Sequence, residues 1–127
     1  MIKDFVKLTQ ELVRIKSISG EEGKVAQSCV SWMKKYGYDE AYIGPYGAVI
    51  GVIRGNKKGK TLYLDAHIDN VPVSSPDKWK HNPYGGEIDG NKIYGRGTSD
   101  MKGSVAAILW AGEQLVKEKD KWAGNYI

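Results

Sequence analysis

The chain has 127 residues, 41% of them hydrophobic and 27% charged, a composition typical of one globular domain or part of one. Its formal charge of +4 could favour an anionic partner, but the lysines are scattered or lie in turns without interleaved aromatic residues, so we expect no nucleic-acid surface. No apolar run reaches the roughly 20 residues that span a bilayer, and Asp4 and Glu11 do not fit a signal peptide, which predicts a cytoplasmic protein without membrane association.

The single cysteine excludes an internal disulfide and a cysteine-based zinc site. Cys29 falls on the apolar face of a predicted helix. We interpret it as a buried, unreactive thiol rather than a nucleophile.

Two amphipathic helices are predicted at the start of the chain. Apolar residues recur at intervals of three and four over residues 2–15, which predicts a helix that ends before Ser17. Ser19 followed three residues later by Glu22 fits a capping box, and the second helix would run from there to a terminating Gly37.

The middle of the chain has the character of a sheet. Three β-rich runs cover residues 41–43, 48–53 and 61–66, with turns predicted at 44–47 and 55–59. In the third run, Leu62 and Leu64 would share one face of the strand.

After a long loop, residues 86–94 are typical of a hairpin centred on Gly90, and residues 103–119 of a helix with a small-residue face. Tyr126 and Ile127 could begin another strand. We expect that strand to be unformed and a sheet edge to be unpaired, as in a chain that has been truncated at this point. Helices flanking strands in this order predict an α/β fold with a mixed sheet.

Three residues are candidates for chemistry. His67 follows the third β-rich run, at the end of the strand where open α/β sheets gather their ligands. Asp69 lies two residues later, where its carboxylate can orient the imidazole. Asp100 follows a glycine-rich turn and precedes a helix whose first N–H groups favour negative charge. Because zinc, cobalt and manganese accept imidazole nitrogen and carboxylate oxygen, these residues predict metal-assisted hydrolysis.

Each element alone also has a purely structural interpretation. A single His-x-Asp is common, and Asp100 could simply cap the following helix. Only the two elements together, in their wider context, favour a metal site.

That context lies in motifs that occur in a fixed order along the chain. They are LDAHIDNVP at residues 64–72, Trp79, the Pro83-Tyr84 pair and IYGRGTSDMKG at residues 93–103, preceded by SISGEE at residues 17–22. Together they closely resemble the dinuclear zinc peptidase family that includes aminoacylase, acetylornithine deacetylase, succinyl-diaminopimelate desuccinylase and glutamate carboxypeptidases. The resemblance covers nearly the whole chain.

The resemblance implies that residues 1–127 are the N-terminal part of a layered α/β/α catalytic domain, without the rest of that domain or an inserted smaller one. It implies that His67 ligates one metal ion, that Asp100 bridges two divalent ions, and that Asp69 is the catalytic residue that orients His67. The peptide bond after Asp100 would be cis. Zinc is the expected metal, with cobalt and manganese as alternatives.

The implied reaction is hydrolysis of an amide or peptide bond by metal-activated water, in an N-acyl amino acid or a short peptide. Full-length members are often homodimers. In the family a Glu-Glu pair, a further acidic ligand and a distant histidine complete the site. Here the only Glu-Glu pair, Glu21-Glu22, precedes His67, and no histidine follows Asp100. We therefore expect this chain alone to be inactive.

Two other functions remain open at this point. The chain could be a non-catalytic remnant or a binding module, or a basic surface-binding domain, which the scattered lysines support poorly. His81 is interpreted as an exposed loop residue, and Arg96 as a residue that stabilises its own turn.

Overall fold

The computed structural model describes residues 2–127, which divide into two compact units. One unit comprises the chain up to Val25 together with Ala66–Ala106, and the other comprises Ala26–Asp65 together with Ala107–Ile127. The helices and strands are α1 (Ile2–Arg14), α2 (Gly23–Lys35), β1 (Glu40–Ile43), β2 (Val49–Arg54), β3 (Lys57–Leu62), β4 (Glu87–Asp89), β5 (Lys92–Tyr94), α3 (Gly103–Lys117) and β6 (Ala123–Tyr126).

Helix α1 forms almost where the apolar periodicity predicts it. Leu8, Leu12 and Val13 are fully buried, as the core-facing stripe of an amphipathic helix should be. The helix therefore contributes three apolar side chains to the core.

Helix α2 is also confirmed, but the capping box predicted for it is wrong. The helix begins at Gly23, four residues after Ser19. The Ser19 hydroxyl donates instead to Asp69, and the Glu22 carboxylate accepts the Gly20 N–H at 2.7 Å. Cys29 is buried, as predicted.

The second unit contains a four-stranded mixed sheet in the order β1-β2-β6-β3. Strand β2 is antiparallel to both β1 and β6, whereas β3 is parallel to β6. The expectation of an unformed last strand is therefore wrong, because β6 pairs on both sides. Ile53 on β2 and Tyr126 on β6 are buried and contribute to the core of this unit.

Strand β3 departs from its prediction at both ends. It begins at Lys57, inside the predicted turn, and ends at Leu62. Two further backbone hydrogen bonds extend its pairing with the end of the chain, from Ile127 N–H to the Leu62 carbonyl at 2.9 Å and from Leu64 N–H to the Ile127 carbonyl at 2.8 Å. The Leu62, Tyr63 and Leu64 side chains are all exposed. Among the described residues β3 is an edge strand with neither face covered, so neither face requires an apolar row.

Helix α3 packs closely on Tyr38 at Gly112. A Cβ on Gly112 would lie 1.9 Å from the Tyr38 hydroxyl oxygen, so only a hydrogen atom fits there. That hydroxyl donates to the Leu109 carbonyl at 3.2 Å. The missing side chain thus lets Tyr38 lie directly against the helix.

In the first unit β4 and β5 form the predicted antiparallel hairpin, with Gly90 at a φ of 58° in the turn. Within residues 2–127 no helix combines the length and the apolar character needed to cross a membrane.

Candidate metal centre

The segment that carries His67 and Asp69 is irregular, and the chain that follows α1 holds it in place. The Asn70 N–H donates to the Ser17 carbonyl at 2.8 Å, and the Ser17 hydroxyl donates to the Ile68 carbonyl at 2.9 Å. Ser17 is fully buried, so water does not compete for these hydrogen bonds. The backbone on both sides of Asp69 is therefore anchored.

The turn before α3 positions Asp100. Gly97 has a φ of 78°, and its carbonyl accepts the Lys102 N–H at 2.8 Å. The fully buried Lys102 side chain donates from Nζ to the Ile15 carbonyl at 2.5 Å, which ties this turn to the end of α1. The Asp100–Met101 peptide bond is cis, as the resemblance implied.

These two segments bring the three predicted residues together. His67 Nδ1 lies 3.0 Å from Asp69 Oδ1, and His67 Nε2 lies 2.9 Å from Asp100 Oδ1. The Asp69 carboxylate also accepts a hydrogen bond from the Ser19 hydroxyl. A continuous chain of contacts therefore runs from Ser19 through Asp69 and His67 to Asp100, although 33 residues separate the last two.

The electrostatics follow from these contacts. The hydrogen bond to Asp100 raises the pKa of His67 above its ordinary value; burial opposes this effect, and the hydrogen bonds to Asp69 add to it. The hydrogen bonds from Ser19 and His67 lower the pKa of Asp69. Asp69 is thus ionised at neutral pH, as the partner of a ligating histidine should be.

The donor atoms fit part of a divalent-metal site. An imidazole nitrogen and a carboxylate oxygen converge, and the Asp100 side chain is 87% exposed, so an ion can reach it. Asp69, on the other ring nitrogen, is the outer partner that metal-ligating histidines usually have. Within residues 2–127 no group of three or more His, Cys, Asp or Glu side chains is placed to hold an ion.

The sequence interpretation missed the role of Ser19 in this group and misjudged the exposure of His81, which lies outside it. Ser19 was interpreted as a helix cap, although it belongs to the SISGEE stretch that carried part of the resemblance. His81 is not the exposed loop residue that was expected: its side chain is 26% exposed, contacts Glu87 and stacks on Tyr94. Within residues 2–127 it forms no hydrogen bond or ion pair with His67 or Asp100.

Comparison with known proteins gives consistent matches. Residues 63–126 match the sequence model of the Peptidase family M20/M25/M40. A succinyl-diaminopimelate desuccinylase from Hydrogenovibrio crunogenus is 30% identical over 126 residues, which is 98% of this chain and 33% of that protein. A second desuccinylase, from Ruegeria, is 32% identical over 91% of this chain and 30% of its own length. The chain therefore spans about a third of the length of the curated relatives it matches.

Solved structures agree on the fold. An M20 family metallo-carboxypeptidase from Sulfolobus solfataricus superposes with a TM-score of 0.76 at 24% identity, over 96% of this chain and 29% of that one. A Bacillus subtilis protein described as a dinuclear metal binding peptidase of the M20 family gives a TM-score of 0.73 at 18% identity, over 98% of this chain and 33% of its own. The predicted α/β fold is confirmed over a portion of such proteins.

Proposed function

The chain belongs to the peptidase family M20/M25/M40, and on that basis we propose that the whole protein is a metal-dependent hydrolase of amide or peptide bonds. The observation that carries the proposal is the convergence of His67 Nε2 and Asp100 Oδ1 at 2.9 Å, with Asp69 on the other ring nitrogen of the histidine. Residues 1–127 would form the N-terminal part of its catalytic domain.

In this proposal each residue has a separate task. His67 and Asp100 hold the metal ions, with zinc expected first and cobalt or manganese as alternatives. Asp69 accepts the Nδ1 proton of His67, which leaves Nε2 with its lone pair for an ion. Ser19 holds the Asp69 carboxylate in the orientation that this requires. When bound, two divalent ions supply Lewis-acid polarisation of the amide carbonyl and lower the pKa of a water molecule towards about 7.

The substrate class follows from the chemistry and from the relatives. Two of the similar proteins are named as desuccinylases, which supports an N-acyl amino acid, and one structural neighbour is a carboxypeptidase, which supports a short peptide. We therefore propose a small amide that carries a carboxylate.

Metal titration of the purified 127-residue chain tests the site. We expect weak zinc or cobalt binding in isothermal titration calorimetry, and a loss of affinity of about tenfold or more in His67→Ala and in Asp100→Asn, because each removes a ligand. His81→Ala is the matched control, since it removes the other histidine and should leave the affinity unchanged. Equal losses in all three variants would refute the assignment of the ligands.

Hydrolysis is tested separately. We expect the chain of residues 1–127 to leave an N-acetyl amino acid intact, because it offers no Glu-Glu pair after Asp100 for the general base and a further ligand. Zinc-dependent turnover by the pure chain, lost on chelation, would contradict this expectation. A longer reading frame that supplies the pair should restore turnover.

A further inference from the structure

A cavity of about 540 Å³ lies in the first unit, outside the group formed by Ser19, His67, Asp69 and Asp100. Its size is within the range of small-molecule sites, roughly 300–1,000 Å³. We call it the Trp79 cavity, and its lining residues are Lys78, Trp79, Lys80, His81, Asp89 and Tyr94.

The histidine in this cavity is held on two sides. His81 Nδ1 lies 2.9 Å from Glu87 Oε2, and the imidazole stacks on the Tyr94 ring with the centroids 4.0 Å apart. The other oxygen of Glu87 accepts the Asn82 N–H at 3.1 Å, so the carboxylate itself is fixed. These contacts lower the pKa of Glu87 below its usual value, with His81 as the main cause, so Glu87 is ionised and holds Nδ1 as a donor. His81 Nε2 makes no hydrogen bond to any described residue and remains available to a ligand.

The charge around the cavity is mainly positive. Lys78 and Lys80 are exposed and form no ion pair within residues 2–127. The Arg96 guanidinium lies 5.1 Å from the centre of the Trp79 ring and adds a third cation beside that ring. Asp89 is the acidic lining residue, and the nearby Glu87 carboxylate is already paired with His81 and the Asn82 N–H. An anion would therefore be attracted more strongly than a cation.

The aromatic side chains of the cavity indicate that the ligand also has an apolar part. Trp79 and Tyr94 are both half-buried, and together they offer apolar area next to the ammonium groups. A ligand with a short carbon skeleton and an anionic end would use both features. A metal ion fits less well, because the ammonium groups of Lys78 and Lys80 would repel it.

We propose that the Trp79 cavity is a binding site for a small oxyanion, a carboxylate or a phosphate, whose charge meets Lys78, Lys80 and His81. The lysines supply the charge, the imidazole supplies a directed polar contact, and Trp79 supplies the apolar wall. None of these residues belongs to the candidate metal centre, so the proposal stands whether or not the proposed hydrolase activity is correct.

The experiment titrates the 127-residue chain separately with succinate and with inorganic phosphate at constant ionic strength. The readouts are the indole N–H signal of Trp79 and the imidazole signals of His81 in NMR spectra. We expect saturable shifts of both groups with at least one of the two probes, and the probe that binds more tightly identifies the class. Absence of saturable shifts with both probes at concentrations up to about 10 mM would overturn the proposal.

Charge variants show whether the cavity itself binds the anion. Lys78→Gln with Lys80→Gln should weaken binding about tenfold, because two charge-assisted contacts are lost. The matched control is Lys57→Gln with Lys58→Gln on the exposed β3 strand, which removes the same charge and should change the affinity less than about twofold. Equal weakening by the two pairs would mean that only net charge acts, and would overturn the proposal.

Asp89 provides a test of whether the ligand of the cavity is negatively charged. Asp89→Asn removes the acidic residue of the cavity and should tighten binding of the anion about two- to threefold, because a repulsion is relieved. Weaker anion binding in this variant would contradict the proposal. A second contradicting result would be that the wild-type chain binds zinc and that both Asp89→Asn and His81→Gln abolish this binding.

Discussion

Replacing Gly112 with alanine should destabilise the unit that contains the mixed sheet. The new Cβ would lie 1.9 Å from the hydroxyl oxygen of Tyr38 and 2.4 Å from its Cζ, far inside van der Waals contact. Tyr38 is only 9% exposed, and its hydroxyl is tied to the Leu109 carbonyl, so the ring cannot move into solvent without losing a buried contact. The variant must therefore shift either the ring or the helix.

The change in the free energy of unfolding is the sum of one stabilising and two destabilising effects. Alanine in a helix interior is favoured over glycine by about 1 kcal/mol. Overpacking of a filled site costs about 1–3 kcal/mol, and loss of the buried hydrogen bond from Tyr38 costs about 1 kcal/mol more. The free energy of unfolding should therefore fall by about 1–3 kcal/mol, the opposite of what helix propensity alone predicts.

Urea unfolding followed by circular dichroism measures this difference. Gly23→Ala is the matched control, because it places the same methyl group on the first residue of α2, where nothing lies within 4 Å. It should change stability by less than about 0.5 kcal/mol. A double-mutant cycle with Tyr38→Ala tests the cause, since Gly112→Ala should no longer destabilise once the ring is gone. If Gly112→Ala is as stable as the wild type, the packing argument is wrong.

Two further predictions concern single contacts. Ser19→Ala should lower the affinity of the chain for zinc about tenfold in calorimetry, because the Asp69 carboxylate loses a hydrogen-bond donor. Ser19→Thr keeps a hydroxyl and should restore the affinity. Unchanged affinity in Ser19→Ala would contradict the positioning role of Ser19. Burial raises the pKa of Asp39, but Lys119 and neighbouring donors lower it further, to below its ordinary value. Because the folded pKa is the lower one, the stabilisation is complete above the unfolded pKa of about 4 and disappears as the pH falls through the folded value. Asp39→Asn should therefore cost about 0.5 kcal/mol at pH 7 and nothing at about pH 2 in urea unfolding; a difference independent of pH would refute this.

Several elements could be predicted because their signals are local. The spacing of Leu8 and Leu12 is that of a helix face, and Gly90 in its polar surroundings is typical of a hairpin turn. The candidate site was also predictable at the level of residue type. His67, Asp69 and Asp100 lie in motifs whose order along the chain could be compared with a known family.

Other features depend on pairing between distant segments, which no local period encodes. Strand β6 was expected to be unformed, yet it lies between β2 and β3, because its partners are supplied by residues far earlier in the chain. The role of Ser19 was misassigned for the same reason. Its spacing to Glu22 is local and suggested a cap, whereas its partner Asp69 is 50 residues away.

The sequence by itself thus determined the helices, the hairpin, the family and the identities of the three candidate residues, because each depends on local periodicity or on a motif. Only the tertiary structure decided that His67 Nε2 and Asp100 Oδ1 lie 2.9 Å apart, that Ser19 supports Asp69, and that His81 is held in a basic cavity. The physical reason is that a hydrogen bond or an ion pair acts over a few ångströms in space. Distance along the chain does not determine which side chains come that close.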